Sequence, residues 1–565
     1  MYETLTEKAN DVLSETFSLS NVDLDWRRPQ EAMHGDISTA IALKLSKEVG
    51  QSPRDIAEKL IEGLSSLEDV SKVELAGPGY VNVWLTPKAL IAALADTREA
   101  CTARVKRGGA PVIVEYSQPN IAKPLGAHHL LTTLIGQSIA NLYEHQGYDV
   151  IKWNYIGDWG TQFGKLAIAV GKWGDDRKAS EYSIDELLAL YVRFHEEVEN
   201  DLTLDDAARE AFLKLEEGDA HLQSFWEDIV RTTKADLAAL YETLHVSFDL
   251  DLGESFYQDK TDAVLHEGRE KHVFTEGEGG SLIVQFSEES HLPPYLVQKG
   301  DGATLYSTRD IAQMRYRIDT YHPQEILIVT DIAQKLHFEQ LVETCKQLQW
   351  KIPAFENVLS GRMRFADKSM STRKGNVLKL KDVLEEAVRR AEEKIAEHEE
   401  SIQTNDLGAL ASMMGVGAVS YGILSQNRKQ DIIFDWEKML SFDGNSAPYL
   451  QYTHARAKSV LRKAETEHAD MPADMADLME KERVLMGTLL EFSRVLEEAR
   501  ASHIPHILAN YLFQLCQDFN SFYNDTPILK ATEPERQFRL ALTHCTASVL
   551  KTGAELLTIS VPDRM

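Results

Sequence analysis

The chain has 565 residues, too many for one core, and its 43% hydrophobic and 26% charged residues give an ordinary water-soluble balance. A net charge of −29 argues against non-specific nucleic-acid binding and leaves room only for RNA gripped by local basic islands. No run reaches the ~18 consecutive apolar residues of a membrane span. The acidic N-terminus lacks the features of a signal peptide, and Cys101, Cys345, Cys516 and Cys545 sit at neither metal-ligand nor disulfide-framework spacing. A cytoplasmic protein with reduced thiols is expected.

Residues 1–105 read as a small α+β unit. "RDIAEKLIEGLSSL" has helical periodicity, and "YVNVWL" alternates as a strand after a Gly-Pro-Gly turn. "RVKRGGAP" is a linker. "PVIVEYS" (111–117) is a buried strand, "QPN" breaks it, and the apolar positions from Leu130 to Leu142 follow a helical period that Gly147 ends. "YDVIKWNYI" is strand again, so this is a β–loop–α–β unit of a parallel sheet. "SIDELLALYVRFHEEVEN" opens with a capping box from Ser183 to Glu186, and "VFTEGEGGSLIVQF" reads as a hairpin. "TLYST" is expected as a strand before the helix "RDIAQMRYRIDTY", and "EILIVTD" as a fully buried strand. A sheet split by a large insertion, at about 170–300, follows from this order. From 405 to 565 the apolar residues recur at three and four, which predicts an all-α bundle. The fold class is α/β with a small domain on one side and a helical bundle on the other.

Two stretches carry chemistry. In "SQPNIAKPLGAHHLLTT" (117–133) a loop leaves a parallel strand and enters a helix, whose N-terminal N–H groups favour phosphate. His128 and His129 sit in its first turn with Lys123 upstream, a cradle for a triphosphate. "GRMRFADKSMSTRKGNVLKLK" (361–381) is a basic island, and on charge alone it is an ordinary solvated face.

"PNIAKPLGAHHL" resembles the segment around the HIGH motif of class I aminoacyl-tRNA synthetases, and "SMSTRKGN" (369–376) resembles their KMSKS loop. "GDWGTQFG", "NRKQDIIFDWEKML", "APYLQYTHARAKSVLRKA" and the closing "LLTISVPDRM" resemble the arginyl-tRNA synthetase family in particular. The resemblance runs from the Gly-Pro-Gly region to the last residue. It implies a Rossmann-like catalytic domain over 106–404, with a KMSKS-like loop at 368–377. An N-terminal domain for the tRNA elbow and a C-terminal anticodon-binding domain flank it. It also implies the reaction: L-arginine and ATP, with Mg²⁺, form arginyl-adenylate and pyrophosphate, and the arginyl group passes to the 3′-terminal ribose of tRNA(Arg). No zinc, organic cofactor, membrane or DNA is implied. A monomer is the family default, and activation that needs bound tRNA is expected.

Both signatures depart from the family. HIGH becomes Gly126-Ala127-His128-His129, so His129 keeps the second histidine, and His128 is expected to supply the imidazole that Gly126 lacks. KMSKS becomes Ser369-Met370-Ser371-Thr372-Arg373. Lys123, Arg373 and Lys374 are then the cations for the leaving pyrophosphate, and Met370, Ser371 and His337 line the nucleotide side. The altered HIGH segment alone supports an alternative, a catalytically silent paralogue that binds tRNA or a protein partner. A synthetase for cysteine or glutamate is the other rival.

A free arginine is met best by carboxylates approached side-on. By resemblance the arginine contacts are Glu115, Asn120, Tyr306, Asp310 and Gln334, with Asp310 and Tyr306 favoured for the guanidinium. By the same resemblance Tyr80 and Asn82 face the D-loop, Tyr523 and Met565 the anticodon loop, and Arg456 a phosphate.

Overall fold

The computed structural model describes residues 2–29, 31–175, 177–365, 378–397, 402, 404, 406–466, 469–473 and 475–565. The N-terminal unit packs helices Tyr2–Phe17 and Ile41–Val49 with Pro53–Leu64 around an antiparallel sheet, β1 (Ile37–Thr39), β2 (Val70–Ala76) and β3 (Tyr80–Leu85), in the order β1-β3-β2. Pro53 opens its helix under a cap from the Ser52 hydroxyl, which accepts from the Asp55 N–H. Ile56, Ala57, Leu60 and Leu64 form the buried stripe. Gly79, at φ 153°, lets the β2–β3 turn pass against Pro53; a Cβ there would lie 2.8 Å from the Pro53 ring.

The central sheet is five-stranded and parallel. Its strands are β4 (Val112–Glu115), β5 (Val150–Asn154), β6 (Leu250–Asp251), β10 (Glu325–Asp331) and β11 (Ala354–Ser360), in the order β11-β10-β4-β5-β6. The chain grows outward from β4 to β6, then returns to the other side of β4. That reversal opens a crevice at the carboxyl ends of β4 and β10, where parallel α/β sheets bind ligands. All four β4 residues are buried because helices cover both faces.

Between β5 and β6 stand four helices, Gln162–Trp173, Ile184–Val198, Thr203–Glu216 and Ala220–Thr243. The Ser183–Glu186 capping box forms as expected, with Ser183 N–H donating to Glu186 Oε2 at 2.8 Å. The hairpin forms too, as β7 (Phe274–Glu276) and β8 (Leu282–Val284), and β9 (Tyr295–Gln298) extends it. "TLYST" is not a strand: the helix already begins at Tyr306 and runs to Tyr321. The hydroxyls of this segment decide the matter. Thr308 Oγ1 accepts from the Leu305 N–H, while Ser307 and Thr308 donate to the Leu296 and Val297 carbonyls. The segment thereby caps a helix against β9 instead of joining a ladder.

The C-terminal part is helical as expected, with Ala447–Lys463, Glu480–Leu490, Phe492–Ser502, His506–Asp525 and Glu535–Leu556 packed together. Helix Leu407–Leu424 is apolar all round and long enough to cross a bilayer, and 67% of it is buried inside this fold. Gly415 lets it approach Leu380–Glu397: a Cβ there would lie 2.7 Å from the Ala387 carbonyl carbon. β13 (Ile432–Phe434) pairs in parallel with β12 (Met363–Phe365), so helix and strand contacts cross residue 405 in both directions. The N-terminal unit docks on the bundle through Arg483 to Asp36 at 2.6 Å and Thr97 to the Leu489 carbonyl at 3.1 Å.

Candidate active site

The loop after β4 is held in an unusual conformation. Ser117, Gln118 and Ala122 have φ of 75°, 55° and 61°, a region non-glycine residues seldom adopt and one that clusters at functional sites. Asn120 is exposed and forms an isolated bridge with Gly157 of "GDWG"; a Cβ at 157 would come within 2.6 Å of the Asn120 amide oxygen. The loop then enters helix His129–His145, with His128 at the N-cap position. The two imidazoles lie 4.0 Å apart, His128 exposed and His129 half-buried. His129 Nδ1 lies 3.2 Å from the Gly126 nitrogen and 3.3 Å from the Gly126 carbonyl oxygen, so this ring nitrogen is turned back onto Gly126 in either tautomer and Nε2 is the one directed away from it. Burial and the neighbouring His128 push the His129 pKa down to about 4, and burial also lowers that of His128, so both rings are neutral at pH 7. Lys123 is exposed, its ammonium 5.2 Å from the Tyr191 ring on the inserted helix Ile184–Val198.

Met370, Ser371, Arg373 and Lys374 lie outside the described residues. The flanks of that segment are described, and the one after it runs beside the loop that enters helix His129–His145. Before it, β12 is fastened to β13 and to Asp431, which accepts from Arg364. After it, Leu378 accepts from the Ala127 N–H and Leu380 N–H donates to Leu125, each at 2.8 Å. The described residues that follow the second signature segment are thus backbone neighbours of the first.

Helix Tyr306–Tyr321 carries a buried polar stripe, Asp310, Gln313 and Arg317, under the crevice. Tyr306 stands one turn before Asp310 and is 56% exposed, its ring 5.1 Å from that of His337. One oxygen of Asp310, Oδ2, accepts from His337 Nε2 at 2.7 Å. The other, Oδ1, is buried with no partner among the described residues. Gln334, at the end of the short turn after β10, is exposed. Glu115 lies deeper. Its carboxylate is 1% exposed and takes hydrogen bonds from Arg317, Gln118 and Gln313, and Arg317 stacks 4.4 Å over Trp153. The structure brings Asp310, Tyr306 and His337 together; it places Glu115 on an internal arginine.

A further acid, Glu254, went unnoticed in the sequence. It follows β6, at the carboxyl edge of the same sheet, and pairs with Arg309 at 2.8 Å. Burial raises its pKa to about 7; Arg309 opposes the rise, and Asp310 and Asp158 add to it. Asp158 of "GDWG" fixes the turn, accepting from the Ser255 N–H at 2.8 Å and its hydroxyl at 2.7 Å. Tyr155 points a buried hydroxyl without a described partner into the field of Asp310 and Glu254, and its pKa stands well above the usual tyrosine value. The signal was available: an acid just past the end of a parallel strand, in "DLGESFY".

The model of the class I tRNA synthetase (R) catalytic domain matches residues 90–436, well over half of the chain. The chain belongs to the arginyl-tRNA synthetase family. The arginyl-tRNA synthetase N-terminal domain matches 3–85, and the DALR anticodon-binding domain matches 450–565. An arginine–tRNA ligase of Fusobacterium nucleatum is 38% identical over 94% of this chain and 93% of its own length. One of Clostridium perfringens is 36% identical over 97% of each. Among solved structures, Thermus thermophilus arginyl-tRNA synthetase superposes with a TM-score of 0.81 at 25% identity, covering all of both chains. The Plasmodium falciparum enzyme shares the fold at 0.82 and 23%, covering 100% of this chain and 99% of its own.

In the DALR domain of this synthetase, Arg456, Tyr523 and Met565 line one groove of about 750 Å³ between helices Ala447–Lys463 and His506–Asp525 and the C-terminus. The Arg456 guanidinium lies between the rings of Tyr452 and Tyr523, at 4.6 and 5.1 Å, and bonds to Asn520. Arg462, Lys463, Lys530 and Arg564 ring the groove with Asp525 and leave it basic in an acidic protein. In the N-terminal domain Tyr80 is exposed at the start of β3, while Asn82 is buried and accepts from the Ser38 hydroxyl at 2.7 Å.

Proposed function

We propose that this arginine–tRNA ligase seats its amino acid between Asp310 and Glu254 and aims it at ATP laid across the start of helix His129–His145. One observation carries the reading. Asp310 keeps one buried carboxylate oxygen without a partner among the described residues, beside Glu254 and Tyr155, at the carboxyl edge of the parallel sheet. In a water-poor setting such an oxygen suits a guanidinium N–H, and an uncharged isostere leaves it unpaired. Tyr306 supplies an aromatic wall, and Asn120 and Gln334 hold the α-amino and α-carboxylate groups from the loops after β4 and β10. Glu115 acts from beneath, anchoring Arg317 and Gln313 and so the helix that presents Asp310.

An oxygen of the arginine carboxylate attacks the α-phosphorus of ATP, and pyrophosphate leaves. The 3′-terminal ribose hydroxyl of tRNA then attacks the carbonyl carbon of the adenylate, and AMP leaves. Charge stabilisation and orientation do the work, with no side-chain nucleophile. His129, neutral, turns Nε2 toward phosphate; His128 lends the second imidazole, and Lys123 and Lys374 neutralise pyrophosphate. Among the described residues no group of three or more metal-ligating side chains gathers, and we place Mg²⁺ on the ATP phosphates. The basic groove around Arg456 and Tyr523 takes splayed anticodon bases by stacking and charge. Tyr80 faces the tRNA elbow, with Asn82 holding the strand beneath it. We place the enzyme in the cytoplasm, as a monomer. Pyrophosphate exchange with arginine, run with and without tRNA(Arg), tests the reading: exchange that depends on both supports it, and none under any condition refutes it.

A further inference from the structure

His337 was expected on the nucleotide side, and its contacts lie elsewhere. Its Nε2 is 2.7 Å from Asp310 Oδ2, its Nδ1 is 3.0 Å from the Tyr295 hydroxyl, and its ring is 5.1 Å from that of Tyr306. A carboxylate oxygen only accepts, so Nε2 carries a proton. The Tyr295 hydroxyl sits at the base of the site on a side chain that is 4% exposed, and His337 is its one partner among the described residues. The result is a line of contacts from the Tyr295 hydroxyl through both ring nitrogens of His337 to Oδ2, which fixes the plane of the imidazole and that of the Asp310 carboxylate.

We propose that His337, locked by Tyr295, is a positioning residue for arginine: it clamps Oδ2 of Asp310 so that Oδ1 alone is presented to the guanidinium. The inference rests on the assignment of Asp310 to arginine and adds a specificity determinant from two elements outside it, β9 and helix Lys335–Gln347. The alternative for a released carboxylate is close by. Arg309 is the next residue along the helix, paired with Glu254, and an Asp310 free to rotate competes for that guanidinium. A clamp on Oδ2 keeps the internal arginine on Glu254 and the buried oxygen for the substrate.

The test is pyrophosphate exchange with tRNA present, with KM measured separately for arginine and ATP. His337→Ala raises KM for arginine about tenfold, the worth of one lost charge-assisted hydrogen bond, while KM for ATP stays within about twofold. His337→Gln, whose amide N–H can reach Oδ2, restores most of the loss, and Tyr295→Phe raises KM for arginine about threefold. In an Asp310→Asn background His337→Ala adds less than about twofold, because the histidine acts through the carboxylate. A rise in KM for ATP with an unchanged KM for arginine overturns the proposal, as does failure of His337→Gln to do better than His337→Ala. Asp310→Asn with a wild-type KM for arginine overturns the pocket assignment itself, a separate outcome. Should His337→Ala not fold, Tyr295→Phe and His337→Gln carry the same test.

Discussion

The crevice and the basic groove of the DALR domain are built in opposite ways. In the crevice the charges are buried and already engaged: Glu115 with Arg317, Glu254 with Arg309, and Asp310 on one oxygen with His337. The DALR groove is open, its cations spread over helix Ala447–Lys463, the loop after helix His506–Asp525 and the C-terminal residues. On the proposed reading a small cation is selected by a few carboxylates in a low-dielectric site, where one misplaced group is costly. RNA is gripped by many exposed cations, each worth little alone and screened by salt.

Substitutions that break the comparison should rank accordingly. Asp310→Asn should raise KM for arginine by about a hundredfold or more in pyrophosphate exchange, with KM for ATP unchanged, because it removes a charge that faces the guanidinium. An unaltered KM for arginine would take Asp310 out of the pocket. His129→Ala should lower the rate of exchange roughly a hundredfold by removing a donor to the phosphates. His128→Ala should fall in the same direction; intact activation in that variant, with His129→Ala dead, would defeat the idea that His128 stands in for the imidazole missing at Gly126.

The pH dependence sharpens the contrast. Glu254 has a pKa raised to about 7, so near neutrality the free enzyme carries it partly protonated. Arginine binds its charged form and releases a proton, so KM for arginine should climb as pH falls below about 7 and level off above it. Glu254→Gln should raise KM at high pH and flatten that acid limb. The groove should show no such limb and respond to salt instead. Arg456→Gln is expected to raise KM for tRNA about tenfold and to lower the salt slope by about one, measured by aminoacylation at several salt concentrations.

The sequence carried the local signals well and the long-range pairings poorly. The run "VIVE" announced a buried parallel strand, and the helical period after His128 placed both histidines at a helix start. The interval of four between Tyr306 and Asp310 put them on one face, though the strand expected there is the first turn of the helix. Glu115 looked like a free acid at a strand end because Arg317, its partner, is 202 residues away, and no local pattern reports such a distance. Glu254 was missed for the complementary reason: β6 is two residues long and gives almost no periodicity, so the sheet edge that presents this acid is invisible until the fold is built. His337 was set on the nucleotide side by its spacing from Gln334, whereas Tyr295, from a hairpin forty-two positions earlier, turns it toward Asp310.

The most direct measurement is a crystal structure with a non-hydrolysable arginyl-adenylate analogue. The account predicts the guanidinium within hydrogen-bond distance of Asp310 Oδ1 and beside Glu254, with the α-phosphate next to His129 at the start of its helix. A guanidinium seated away from both acids, or an α-phosphate remote from His129, would contradict it.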